Sequence, residues 1–145
     1  MRVGSDEIEF RVTSEESDGA LTAAEVRIPP GGGPPMLHRH EPSELYRVER
    51  GELALYVEDG SGSVRRTVAR PGTVVAIAAG REHTVRNESE AEASAFVVFS
   101  PGGQMERFFR AAGELGGDGP PAPEQVVDLA EAHGITMTRS VQEAF

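Results

Sequence analysis

Residues 32–51 read GGPPMLHRHEPSELYRVERG, setting two of the chain's four histidines two residues apart and a glutamate four residues after the second. In an extended chain, side chains two apart share a face, so His38 and His40 point together, Met36 joins them and Arg39 points away. The turn EPS then reverses the chain. Glu44 opens the next strand beside the imidazoles, with Tyr46 and Val48 following on the same face. Two neutral imidazoles and a carboxylate suit a divalent first-row metal. A second stretch, residues 71–87, PGTVVAIAAGREHTVRN, brings His83 after a tight AGRE turn at the start of a short strand. A closed antiparallel barrel converges distant strands on one interior, which makes His83 the candidate fourth ligand. Three imidazoles and one carboxylate leave about two positions on a six-coordinate ion for water, substrate or dioxygen. An open position marks a catalytic or ligand-binding site, whereas a structural site is closed.

Around these motifs, residues 20–100 form short β-branched or alternating runs: LTAAEVRI, PMLHRH, ELYRVER, ELALYVED, SVRRTVA, TVVAIA, HTVRN and ASAFVVFS. Turn residues separate them at intervals of roughly 8 to 12 residues, the spacing of an all-β antiparallel sandwich or barrel with no room for helices between strands. After SPGG the pattern changes. QMERFFRAAGEL predicts a helix with Met105, Phe108, Phe109 and Ala112 on one side, and PEQVVDLAEAHG predicts a second, with Pro123 in its first turn and Gly134 as its stop. This helical extension covers about residues 103–134, and the barrel core about 20–100. The first 19 residues read as a weak strand and a polar loop. His133, one residue before Gly134, is read as a helix-terminal residue suited to the dipole and the last carbonyls.

Composition narrows the function further. With 145 residues and 38% hydrophobic content, one core and one domain are expected. Cysteine is absent, so a metal must be held by His, Asp or Glu. Twenty-four acids against 14 bases, a net charge of −10, argue against nucleic acid as a partner. All 14 bases are arginine, which excludes lysine Schiff-base chemistry. No run approaches membrane-span length and the N-terminus lacks a basic region followed by a hydrophobic stretch, so a soluble, cytoplasmic protein without a membrane partner is expected.

With both motifs in view, the chain resembles the cupin superfamily. The first family motif is matched by Gly32, His38, His40, Glu44 and Gly51, and the second by Gly72, Gly80, His83 and Asn87, with Ala78 where the pattern usually has proline. The motifs span residues 32–87, and the flanking strands and helix also resemble small single-domain bacterial cupins of the quercetinase-like kind. The resemblance implies an all-β jelly-roll barrel with two short C-terminal helices. It also implies one divalent transition metal (Fe, Mn, Ni, Co, Cu or Zn) held by His38, His40, Glu44 and His83. Quercetinase-like relatives further imply a dioxygenase acting on a small aromatic or enol-containing molecule. The same site would serve isomerase, epimerase or lyase chemistry, or non-catalytic small-molecule binding.

Glu44 has two possible roles, as metal ligand or as catalytic base for a substrate hydroxyl. Met36, Tyr46 and Phe96 are expected to face the interior as core packing, substrate-binding wall, or both. Phe108 and Phe109 are expected to dock their helix on the barrel, or to act as a lid over its mouth. A homodimer is expected, with Leu45, Ala54, Tyr56 and Val75 as outward apolar residues consistent with the contact or with cover by the chain's own second sheet.

Overall fold

The computed structural model describes residues 1–145. In chain order the strands are β1 (Arg2–Val3), β2 (Asp6–Val12), β3 (Thr22–Ile28), β4 (Met36–Arg39), β5 (Ser43–Arg50), β6 (Leu53–Glu58), β7 (Val64–Ala69), β8 (Val74–Ile77), β9 (His83–Arg86), β10 (Ala93–Ser100) and β11 (Thr136–Ser140). Two helices, α1 (Gly103–Leu115) and α2 (Pro123–Ala132), lie between β10 and β11. The strands form a six-stranded sheet ordered β1-β2-β3-β10-β5-β8 and a five-stranded sheet ordered β11-β4-β9-β6-β7. Every pairing is antiparallel. The two inner faces enclose a single main core, the jelly-roll architecture expected from the sequence.

Alternation decides which side chains enter that core. Along β5, Glu44, Tyr46 and Val48 are buried while Leu45 and Arg47 face out. Along β10, Ala93, Ala95, Val97 and Phe99 are buried between half-buried Ser94, Phe96 and Val98. Phe96 therefore corrects the sequence expectation: it lies on the outer face, paired with Glu25 and Arg47, and the inward aromatic of this strand is Phe99. The run ASAFVVFS is apolar in both phases. Its phase is set by the small Ala95, which sits opposite Val26 and Val48 in the densely packed middle of the sheet.

Both ends of the chain contribute more than expected. β2 is a full strand on β3, with Ile8 in the core, so the barrel extends N-terminally of residue 20. β11 adds an unanticipated strand to β4. Together with Val141 and Ala144 this C-terminal segment covers Leu37, Ala54 and Tyr56, and the Phe145 ring lies 5.9 Å from that of Tyr56. Of the residues expected to face outward, Ala54 and Tyr56 are thus buried and Val75 is half-buried against the core, whereas Leu45 is exposed.

Two glycines hold turns that no other residue would fit. Gly33 has φ +96°, and a Cβ there would lie 2.1 Å from the Val85 carbonyl oxygen. Gly51, with φ +68°, closes the β5–β6 turn where a Cβ would come within 2.7 Å of the Glu92 carbonyl oxygen. Ala78, at the position where proline was expected, still supports the turn into β9, since its carbonyl accepts from the Arg81 N–H at 3.2 Å.

Candidate metal centre

His38 on β4 and His83 on β9 are direct cross-strand partners in the five-stranded sheet. Glu44 enters from β5 in the other sheet, and the His40-Glu41-Pro42 reversal between β4 and β5 carries His40 to the same point. One ligand atom from each of His38, His40 and His83 can be chosen so that all lie within 4.8 Å of one another, and all three residues are buried. Glu44 joins them: its Oε2 is 3.0 Å from His40 Nε2 and in close contact with His83 Nε2.

The tautomers are fixed from behind. Each of the three imidazoles donates its Nδ1–H to a backbone carbonyl: His38 to Met36 at 3.0 Å, His40 to Pro42 at 2.9 Å and His83 to Arg81 at 2.7 Å. The Nε2 lone pairs therefore face the cluster. His40 Nε2, His83 Nε2 and Glu44 Oε2 are fully buried and meet no hydrogen-bond partner other than one another. Lone pairs gathered this way need a cation among them, a metal ion or, failing that, a proton on His83. The residues present fit a divalent transition metal, with three imidazoles and one carboxylate as its donor set.

Protonation agrees with this arrangement. Burial and the neighbouring His83 push His38 down to about 4, leaving it neutral at pH 7. Burial alone would raise Glu44, but His40 and His83 outweigh it and hold its carboxyl below the usual range. Burial opposes protonation of His83 as well, yet contact with Glu44 prevails and raises it above its ordinary value. Tyr46 is pushed well up by burial and by the charge of Glu44, so it keeps its proton and donates to Glu44 Oε1 at 3.3 Å.

Above the cluster lies a cavity of about 230 Å³, floored by His38, Glu44, Tyr46 and His83. Its walls are Ile8, Val85, Ile135 and Met137, and its roof is built from Met105, Phe108 and Phe109 of α1 with Val126 and Leu129 of α2. The helices are thus docked on the barrel and together form a roof over part of its mouth. No arginine lines this cavity, and the chain has no lysine. Tyr46 takes the expected place in the lining, but Met36 and Phe96 do not. Half-buried Met36 lies opposite Ser140 and contributes its carbonyl to His38 instead. His133 ends α2 and donates Nδ1–H to the Leu129 carbonyl at 2.9 Å, the terminal role expected for it.

Sequence reasoning missed Asp6, which also lines the cavity; the alternation Asp6, Ile8, Phe10 in DEIEFRV was the signal for it. It missed Glu82 too. This carboxylate, buried beside His83, receives Arg139 at 3.0 and 3.1 Å and the Thr138 hydroxyl at 2.5 Å, fastening β11 to the strand that carries His83.

A family model described as the cupin domain matches residues 24–99, and the chain belongs to that family. Among solved structures, an oxalate oxidase in complex with the substrate analogue glycolate is 25% identical, with TM-score 0.58 over 90% of this chain and 66% of its own. A sugar phosphate isomerase of the cupin superfamily from Silicibacter pomeroyi is 22% identical, with TM-score 0.56 over 68% of this chain and 60% of its own. A predicted oxalate decarboxylase from Thermotoga maritima is 23% identical, with TM-score 0.57 over 66% of this chain and 79% of its own. The chain therefore spans less than two thirds of the isomerase and of the oxidase, and the isomerase and decarboxylase likenesses speak for the fold alone. No protein of curated function matches it.

Proposed function

We propose that this cupin is a mononuclear metal-dependent dioxygenase acting on a small aromatic or enol-containing molecule. The observation that carries the reading is the cavity, whose floor bears His38, Glu44 and His83 and whose walls and roof are mainly apolar, with no cationic side chain. A dicarboxylate or sugar phosphate could place one anionic group on the metal, but its remaining charge would lose hydration there with no arginine or lysine to replace it, at a cost of several kcal/mol per charge. A flat apolar ring carrying a hydroxyl or enol gains by the same transfer. The volume, about 230 Å³, is below the ~300–1,000 Å³ of typical ligand pockets and selects a small molecule.

His38, His40, His83 and Glu44 would hold the metal. Such an ion supplies Lewis acidity and, if redox-active, electron exchange with dioxygen. Glu44 Oε1 accepts the substrate hydroxyl proton, and Tyr46, which keeps its own proton, steadies that carboxylate by donating to it. Phe108 and Phe109 hold the ring against the floor and keep bulk water out.

Loading the protein anaerobically with Fe(II), Mn(II) or Ni(II) and following oxygen consumption over a panel of phenols and enols tests this directly. Substrate-dependent uptake that disappears in His83→Ala is expected. Stoichiometric metal with no uptake on any member would overturn the dioxygenase reading. It would favour an isomerase, epimerase or lyase using the same Glu44–Tyr46 pair for proton transfer, or a non-catalytic binding protein.

A homodimer belongs to the same proposal. Leu45 and Val74 on the outer face of the six-stranded sheet are 39% and 54% exposed, beside half-buried Phe96 and Val98, and a second copy would cover them. No helix is long and apolar enough to cross a membrane. A cytoplasmic location is retained as part of the proposal.

A further inference from the structure

Asp6 is the carboxylate lining the cavity that the metal centre does not use. It opens β2, three strands along the sheet from Glu44 and Tyr46 on β5. Its Oδ1 is committed, accepting from the Gly33 N–H at 3.1 Å and the Ser5 hydroxyl at 3.1 Å. No protein donor reaches its Oδ2. Arg86, whose charge is felt at Asp6, has its guanidinium turned to the carbonyls of Gly31 and Gly33. None of these hydrogen bonds goes to the ligand cluster, although the charge of Asp6 is felt at Tyr46 across the cavity.

Asp6 is a half-buried carboxylate whose Oδ2 meets no protein donor, beside walls built from Ile8, Val85 and Phe108, so a ligand that displaces water from it must offer it a hydrogen-bond donor. We propose that Asp6 is a second polar anchor, its Oδ2 accepting a hydrogen bond from a hydroxyl or amine at the substrate end remote from the histidines. Resting on the aromatic or enol reading above, this narrows the substrate class. The favoured molecule carries a hydroxyl or enol at the metal end, an apolar ring between, and a hydrogen-bond donor at the far end. Asp6 then determines specificity by leaving its oxygen unpaired against analogues that lack the second donor.

The test uses the full chain loaded with Zn(II), which does not turn over dioxygen, and titration calorimetry with matched phenols. Hydroquinone is compared with 4-methoxyphenol, and the longer 4,4′-biphenol with its monomethyl ether. Each ether keeps the ring and the distal oxygen, loses the distal donor and adds one methyl, whose steric share is what discrimination remaining in the Asp6 variant would measure. Wild-type protein should bind the better-fitting diol about tenfold more tightly than its ether, the range of a hydrogen bond to a charged group. Asp6→Asn retains the oxygen that holds Gly33 and replaces the free acceptor by a donor. It should keep its zinc and lose the donor's share of the discrimination, because both partners of each pair still offer an oxygen to the amide.

Equal affinity for diol and ether in wild-type protein, at both lengths, would overturn the proposal, as would undiminished discrimination in Asp6→Asn. Should that variant fail to fold or to hold zinc, the wild-type comparison decides alone. If none of the phenols binds zinc-loaded wild-type protein, the aromatic or enol reading itself fails and the Asp6 anchor falls with it. If they bind without discrimination, that reading stands and Asp6 alone is ruled out.

Discussion

His38 and His83 lie face to face on adjacent strands, yet they titrate in opposite directions, and the difference can be measured. His38, driven down to about 4 by burial and by His83, offers its lone pair at neutral pH without releasing a proton. His83, raised by Glu44 in spite of burial, must give up its proton when a metal arrives. Metal binding near pH 7 should therefore release up to about one proton per site and tighten as pH rises through the neutral range. Calorimetry in buffers of different ionisation enthalpy would show it, and binding with no proton release would contradict the His83–Glu44 contact. In the metal-free protein the two signs separate. The stability His83 contributes is full below its unfolded value of 6.5 and is lost as pH rises through its raised folded value. The stability His38 contributes is present above 6.5 and is lost as pH falls toward about 4.

At the scale of elements, the clearest dependence is that of β11 on one buried carboxylate. Burial would raise Glu82, but Arg139, Thr138 and Arg39 outweigh it and hold it below the usual range. The link is present above the ordinary carboxylate value of 4.5 and should fail as pH drops through the lowered one. Arg139→Ala leaves Glu82 buried with one bidentate partner fewer, so a loss of about 1–3 kcal/mol in denaturant unfolding is expected, with metal binding retained. Phe108→Ala, in the roof, should cost about 3 kcal/mol and weaken aromatic ligands while zinc content stays unchanged. The sequence disclosed these elements unequally. The strands between residues 20 and 100 and both helices were legible because each has its own apolar period. β11, TMTRS, has almost none, and what holds it is an ion pair spanning 57 residues. Phe96 was misplaced for the opposite reason, since an apolar outer face makes both phases of its strand look buried. Asp6 was passed over because the acids Glu7 and Glu9 around it make β2 read as no more than a weak strand outside the barrel core.

For the whole molecule, the candidate ligands His38, His40 and Glu44 were legible because turn spacing alone aligns them, and the roof in part, since Phe108 and Phe109 were expected over the barrel mouth. The rest of the cavity was not, because Val126, Leu129, Ile135 and Met137 reach it from the far C-terminal end of the chain. The outer face bearing Leu45 and Val74 makes association a testable property: a dimer by light scattering is expected, and Val74→Arg should shift it toward monomer by placing a charge in the contact. If Val74→Arg leaves a dimer intact, the contact lies elsewhere. The account depends most on the claim that the buried imidazoles and Glu44 exist to hold a metal. Elemental analysis of untagged protein after metal loading and exhaustive dialysis, side by side with the His38→Ala/His40→Ala double variant, tests it most directly. About one transition metal per chain is expected in the wild type and none in a still-folded variant. A wild type that retains no metal under any loading, or a double variant that retains it, would contradict the account.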